Sequence, residues 1–525
     1  MSLDTFLHEL HFDTDRARPP EWEVDWEDAP LPYKLYRGLP QIPLAADVPL
    51  SLDGRRAPAK PEPRTVGYVL WYSYGLTRAG QSAHLPVFPG SSSGPLLLYR
   101  RFVPSGGALY PSELYVYLRV EGLPAGVYHY DAAHHRLILL REGCFDSWLT
   151  RALGNRCDLS ACFGAAFVST VFWKNFFKYH NFSYRLQGLD AGALIGQLQV
   201  VAERFGYASG VCFQFPDRAL NHLLGLPEQE ESVYAVIPLS MEPAASWFHA
   251  RMEADEAPAS AELCRELPAI RPGSFLRSRK IRAYPDLIRM NEASRLESVP
   301  PSRPAGTPER SSLQGGRLAL LPLETCVYDL ASACRNRVSP DLDFMAGPVG
   351  LRQLSGLLSG TSFPAFANDL DGIGGEPRDR IGLYGCIHGV DGLPDGAYAY
   401  DRPAHALRQL SGGDHRLRLQ QGMSLDNVNL YQVPLCFHVV GDRSHLRKAL
   451  GYRGYRIQQM EAGMLMQRLL LAASALGLGG HPLLGYDAAH CDAIYGLDAR
   501  GKTCLIQIPV GPYRAKSRLE AGLHG

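Results

Sequence analysis

The chain has 525 residues, 20% of them charged, with 53 Lys and Arg against 53 Asp and Glu. A formal net charge of zero gives no electrostatic case for nucleic acid or for an anionic membrane surface. The length implies two to four domains, or one duplicated unit. The first residues, Met1 to Glu9, carry neither a basic stretch nor an apolar run, so no signal peptide is expected. The most apolar later run, Leu465 to Leu478, contains Gln467 and Arg468 and does not read as a membrane span. Eleven cysteines include no CxxC pair. Cys157 with Cys162, and Cys326 with Cys334, are spaced wrongly for zinc. Reduced, buried thiols and a cytoplasmic location are the expectation.

Residues 1–60 are rich in Pro, Trp and Tyr, as in Pro19-Pro20-Glu21-Trp22-Glu23-Val24-Asp25-Trp26. They are expected to wrap a surface in extended form, with the aromatics as anchors. A helix is predicted over Val66 to Tyr74, ended by Gly75. Pro104-Ser105-Gly106-Gly107 makes a turn into an aromatic, β-branched strand, Ser112 to Tyr117. Gly122 to Gly126 is a hairpin turn, with a return strand Val127 to Asp131 and a further strand Arg136 to Leu140. Leu186, Leu189, Ala193, Leu194, Leu198 and Val201 recur at helical spacing, so a long helix runs from Arg185 through Ala202. Strands are predicted at Phe213-Gln214-Phe215 and at Val233 to Leu239.

The chain then repeats itself. Gly122-Leu123-Pro124-Ala125-Gly126 returns as Gly392 to Gly396, and in both places Tyr-x-Tyr-Asp follows. Tyr184-Arg185 returns as Tyr455-Arg456, and Ala191-Gly192 as Ala462-Gly463. An ordered series at a shift of about 270 residues means two halves of one fold. The predicted organisation is a lead-in over 1–60, a first half over 61–250 and a second over 260–525. A Pro-rich flexible segment at 296–316 lies inside the second lead-in, which reaches its strand near Arg317 to Pro322.

Two adjacent glycines, Gly106 and Gly107, let backbone approach a flat ligand, because no Cβ intervenes. The run Arg101-Phe102-Val103-Pro104-Ser105-Gly106-Gly107-Ala108-Leu109-Tyr110-Pro111 resembles the flavin-contacting loop of the nitroreductase superfamily. It is most similar to the SagB-type dehydrogenases, whose pattern is Arg-x-Val-Pro-Ser-x-Gly-Ala-Leu-Tyr-Pro. The resemblance implies an α+β fold that pairs two halves, here a tandem duplication forming a pseudo-dimer within one chain. It also implies FMN at the interface. Lys178-Tyr179 resembles the catalytic pair of the azoline-oxidising members. Arg335 and Arg337 resemble the N-terminal phosphate arm, and Arg514 and Lys516, after the last strand, resemble the cations that family members place on the FMN phosphate. Arg101 and Pro104 belong to the loop itself. Gly479 and Gly480 either lend backbone amides to the flavin pyrimidine or form a helix C-cap with Gly480 at positive φ.

The two halves keep different parts. The second has Ile373 to Arg380 where the first has its Gly-Gly loop, and the first ends Ile237 to Pro243 without a cation. One composite FMN site is therefore expected. The implied activity is oxidation of thiazoline or oxazoline rings to thiazoles or oxazoles on a ribosomally made peptide. The implied partners are an azoline-containing precursor peptide and the cyclodehydratase that makes its rings. Two alternatives stay open: an NAD(P)H-dependent flavin reductase or nitroreductase, and an inactive peptide-binding scaffold of a modification complex.

Overall fold

The computed structural model describes residues 1–17, 21–54, 56–57, 59–82, 96–248, 257–300, 318–322, 327–361, 367–371, 380–515 and 520–522. The first half supplies β1 (Gln41–Pro43), β2 (Arg78–Ser82), β3 (Leu96–Arg100), β4 (Ser112–Leu118), β5 (Gly126–Asp131), β6 (Arg136–Glu142), β7 (Gly164–Val171), β8 (Ala208–Ser209) and β9 (Glu231–Ser240). The second supplies β10 (Leu318–Leu320), β11 (Gly382–Ile387), β12 (Gly396–Asp401), β13 (Ala406–Gly412), β14 (Leu435–Asp442), β15 (Gly479–Gly480), β16 (Lys502–Gly511) and β17 (Glu520–Gly522).

Two seven-stranded antiparallel sheets follow. Their orders are β1-β6-β5-β4-β7-β9-β8 and β10-β13-β12-β11-β14-β16-β15, the same topology twice. The irregularities repeat as well. A register shift at Val127/Tyr128 recurs at Ala397/Tyr398, and one at Val168/Ser169 recurs at Val439/Val440. Bulges carried over at matching positions are inherited features of one fold, as the internal repeat predicts.

The halves join through two long buried helices, Ser183–Arg204 and Arg453–Ala475. Gly188, Gly192 and Gly196 stand four apart on one helix face, one above another. A Cβ on Gly192 would lie 2.0 Å from the Met460 carbonyl oxygen, and one on Gly463 would lie 2.2 Å from that of Leu189. The Ala-Gly pairs of the repeat thus let two backbones touch. Gln467 donates from Nε2 to Gln197 Oε1 at 2.8 Å in the same interface. β17 then returns to the first half and pairs with β2, setting Gly522 against Arg78.

Several elements differ from the sequence expectation. The lead-in opens with a helix, Leu3–Phe12, because Ser2 caps it and Phe6, Leu7 and Leu10 bury one face. Further on the lead-in does anchor through aromatics: Trp22 packs edge-on against Phe176, and Trp26 against Phe177. The helix predicted from Val66 starts at Pro63, where proline suits the first turn. Phe213 to Phe215 is no strand. The amides of Phe213 and Gln214 donate to the Asp369 carboxylate instead, at 2.9 and 2.8 Å. Residues 260–300, grouped by sequence with the second half, pack largely on the first. Trp148 Nε1 donates to Leu263 O, and Phe275 N to Leu35 O. No described helix is long and apolar enough to cross a membrane.

Candidate functional site

The Gly-Gly loop is held by a carboxylate from the central helix. Ser105 Oγ donates to Asp190 Oδ2 at 2.6 Å, and Gly106 N donates to Oδ1 at 3.4 Å. Ser105 Oγ in turn accepts from Tyr110 N at 2.9 Å. The loop folds tightly enough to place Gly107, Ala108 and Tyr110 at φ of 65°, 57° and 49°. Left-handed backbone at non-glycine residues costs on the order of 1–3 kcal/mol each and persists only where the surroundings enforce it.

The loop lies against the Lys-Tyr pair. Lys178 and Tyr179 end the short helix Trp173–Tyr179, and the chain reverses at His180, φ 51°. A Cβ on Gly107 would sit 2.7 Å from Tyr179 Oη and 2.9 Å from Lys178 Nζ. A side chain there would displace both tips, on a backbone whose φ of 65° favours glycine. The Lys178 ammonium also lies 5.3 Å from the Trp26 ring centroid, a cation–π contact from the lead-in.

The second half contributes a wall of guanidinium groups. Asp329 caps the helix Leu330–Asn336, accepting from Ala331 N and Ser332 N, and so fixes Arg335 on its last turn. Arg335 Nη1 is buried with no hydrogen-bond partner. Arg337 reaches across to the first half, where its Nε donates to Phe102 O at 2.8 Å. Desolvation, reinforced by Arg100 and Arg78, holds its pKa below the usual guanidinium value. Arg78, on β2, donates to the Arg335 carbonyl. Four cations from two halves crowd one place, an arrangement suited to an anion.

Loop, pair and cations border a single cleft of about 1530 Å³. Small-molecule sites usually take about 300–1,000 Å³, so there is space for more than one occupant. Pro104, Ser105, Gly106, Gly107, Lys178, Tyr179, Arg335, Arg337 and Arg514 all line it. Arg101 lines it too, but its guanidinium is turned to backbone, donating to Tyr74 O at 2.5 Å and Pro32 O at 2.9 Å. Arg101 therefore acts as a buried support of the loop rather than as a free cation.

Gly479 and Gly480 do not line the cleft. They form β15 on the edge of the second sheet, where Gly480 N donates to Val338 O. Close packing explains them: a Cβ on Gly479 would meet Pro340 Cγ at 2.3 Å, and one on Gly480 would meet Leu470 Cδ2 at 2.6 Å. The left-handed residue after the helix is Gly477, φ 73°, not Gly480. Lys516 lies outside the described residues, as does most of the second-half segment Ile373 to Arg380.

Sequence reasoning missed Asp190, Arg78 and Arg100. Asp190 offered a signal: a carboxylate in the buried stretch of a helix, between Leu189 and Ala191. Burial pushes its pKa up to about 7, against the hydrogen bonds from Ser105 and Gly106. Its counterpart by the repeat is Glu461, which binds Arg380 at 2.5 Å while Asp371 takes the same guanidinium at 2.7 Å. The second half thus uses the matching carboxylate in a buried ion pair.

The family model for the nitroreductase family matches residues 76–239 and 397–512, together more than half of the chain. Among curated proteins, the trifolitoxin-processing protein TfxB of Rhizobium leguminosarum bv. trifolii is 33% identical over 142 residues. That match spans 25% of this chain and 37% of the relative, so little more than a third of the relative's length is covered. A structure from Anabaena variabilis assigned as a nitroreductase is similar over 98% of this chain and 99% of its own, with a TM-score of 0.72 and 22% identity. A chain of the Escherichia coli microcin synthetase McbBCD complex, solved with truncated pro-MccB17 bound, is 24% identical over 37% of this chain and 69% of its own, with a TM-score of 0.29.

Proposed function

Because the chain belongs to the nitroreductase family, a family of oxidoreductases, matched in both of its halves, we propose that it is an FMN-dependent dehydrogenase of the SagB type. Its substrate is a thiazoline or oxazoline ring on a ribosomally made peptide, and its product the corresponding thiazole or oxazole. The observation that carries this reading is the contact of the Gly107 loop with Lys178 and Tyr179, in one cleft with the cations of the other half. The partial likeness to a trifolitoxin-processing protein supports a peptide as substrate. A cyclodehydratase, which closes such rings, is the partner this chemistry requires.

The residues present fit FMN. The buried, unpartnered Nη1 of Arg335, beside Arg337 and Arg78, suits a phosphate oxygen. Arg514, two positions before Lys516 in the sequence, lines the same cleft. The absence of a side chain at Gly107 lets Tyr179 Oη and Lys178 Nζ close onto the loop at the cleft wall. FMN, when bound, supplies the hydride acceptor. The protein's own part is proton transfer and positioning. Aromatising an azoline removes a proton from one ring carbon and a hydride from its neighbour, and leaves a new C=C bond. The proton goes to Tyr179 Oη or to Lys178 Nζ, in whichever of the two is unprotonated. Trp26 packs on the Lys178 ammonium and the loop lies against both groups at the cleft wall.

The test is a purified chain reconstituted with FMN and given a thiazoline peptide. Each ring oxidised should lose two hydrogens by mass. Lys178→Ala and Tyr179→Phe should keep flavin and lose about 100- to 10,000-fold in rate. Full activity in both variants refutes the assignment of the base. Failure to bind flavin refutes the whole reading, and NAD(P)H bleaching without azoline oxidation favours a flavin reductase.

A further inference from the structure

A second cavity of about 460 Å³ lies beside the main cleft, and Pro30 and Leu31 of the lead-in, with the neighbouring Arg277, line both. Its buried charged lining residues are paired, while Glu230, Arg277 and Arg282 stand exposed at its rim. Lys34 Nζ meets Glu231 at 2.5 Å, and Lys174 is paired with Glu113. Between those rim charges lies an apolar patch. Phe275, Leu276 and Ile281 on its wall are 39%, 57% and 44% exposed, with Trp173 behind them. Exposed apolar side chains gathered around a cavity mark a place that something apolar covers.

The helix Trp173–Tyr179 runs between the two cavities. Trp173 borders the second, and Lys178 and Tyr179 border the first. At about 1.5 Å per residue the separation along the helix is roughly 8–9 Å. An extended peptide covers that in two or three residues, at about 3.3 Å each. We propose that this cavity is a side-chain pocket for the substrate peptide, taking an apolar or aromatic residue two or three positions from the ring being oxidised. The inference rests on the peptide-azoline reading above. It adds that the enzyme selects rings by a neighbouring residue.

The experiment uses the full chain with FMN and fluorescein-labelled nonapeptides bearing a central thiazoline. A leucine is placed at each flanking position in turn, the rest being serine. Anisotropy should show one position, two or three residues from the ring, at which leucine tightens binding roughly 10- to 100-fold. Leu276→Glu and Ile281→Glu alter exposed residues and should keep flavin content and melting behaviour, yet abolish that preference. A single thiazoline amide without flanking residues should be oxidised equally by wild type and variants. Uniform affinity across the peptides overturns the pocket, as does a preference that survives both variants. Should no ring be oxidised at all, the catalytic reading fails, while the anisotropy still reports on the pocket.

Discussion

Asp190 is a carboxylate asked to do two opposed things. Burial favours its neutral form and sets its pKa at about 7, while Ser105 and Gly106 both donate to it and favour the anion. In the unfolded chain an aspartate titrates near 4. The folded value is the higher one, so the folded protein holds this proton more tightly. The stability it contributes is complete below the unfolded pKa and is lost as pH rises through about 7. Yet only the anion can accept with both oxygens, as the loop requires. The loop is therefore best ordered just where the fold gives up stability. Asp190→Asn should flatten the pH dependence of stability between about 4 and 7. It should also weaken FMN binding roughly tenfold or more above pH 7 and remove an acid limb centred near pH 7 from flavin affinity. Denaturant titrations and flavin titrations across pH read both effects. An unchanged acid limb in the Asn variant counts against Asp190 as the positioning group.

At the scale of elements, the crossing of the two central helices decides how the halves meet. The interface is built on glycine because carbonyl oxygens of one helix occupy the space where the other's side chains would start. Gly192→Ala would bring a methyl group to 2.0 Å from the Met460 carbonyl, so the helices must separate. Overpacking of this kind typically costs about 1–3 kcal/mol. A lowered midpoint of thermal unfolding, together with weaker flavin retention, is the expected outcome. The second symptom follows because Asp190 is two residues away on the same helix. A half-buried control away from the helix crossing, Ala133→Gly in the turn after β5, should leave flavin retention unchanged. Retention of wild-type stability by Gly192→Ala would mean that the helices do not approach so closely.

Across the whole molecule, the candidate site exists only because two halves share one chain. The loop and the Lys-Tyr pair come from the first half, Arg335, Arg337 and Arg514 from the second, and Arg337 bonds directly to the loop's approach at Phe102. In the second half, the counterpart of Asp190 is committed to Arg380. The expected stoichiometry is one FMN per chain, read from absorbance after denaturation. Arg335→Ala should cost about 1.5–3 kcal/mol of FMN binding, or one to two decades in affinity, although the residue is far in sequence from the loop. Two flavins per chain would contradict the single composite site.

The duplication was legible in the sequence because its markers are backbone-driven. Gly-Leu-Pro-x-Gly turns, Tyr-x-Tyr-Asp strands and Ala-Gly pairs recur in order wherever the chain must turn, pair or touch. The loop and the Lys-Tyr pair stood out for a related reason, since each is a short contiguous run, and the fold sets the two against each other. Four things lay beyond sequence. The lead-in helix is one, because its apolar face has meaning only against the surface it covers. The true place of Gly479 and Gly480 is another: a glycine demanded by Pro340 and Leu470 looks the same in sequence as one demanded by a ligand. Arg101 and Arg337 both donate to backbone carbonyls, Arg101 to Tyr74 and Pro32 and Arg337 to Phe102 and Arg101, and no spacing along the chain foretells these contacts. Last, Asp190 lies 85 residues from the serine it holds. Spacing along the chain carries no trace of that contact; it arises when the central helix packs beneath the loop, and burial then sets the acid's pKa.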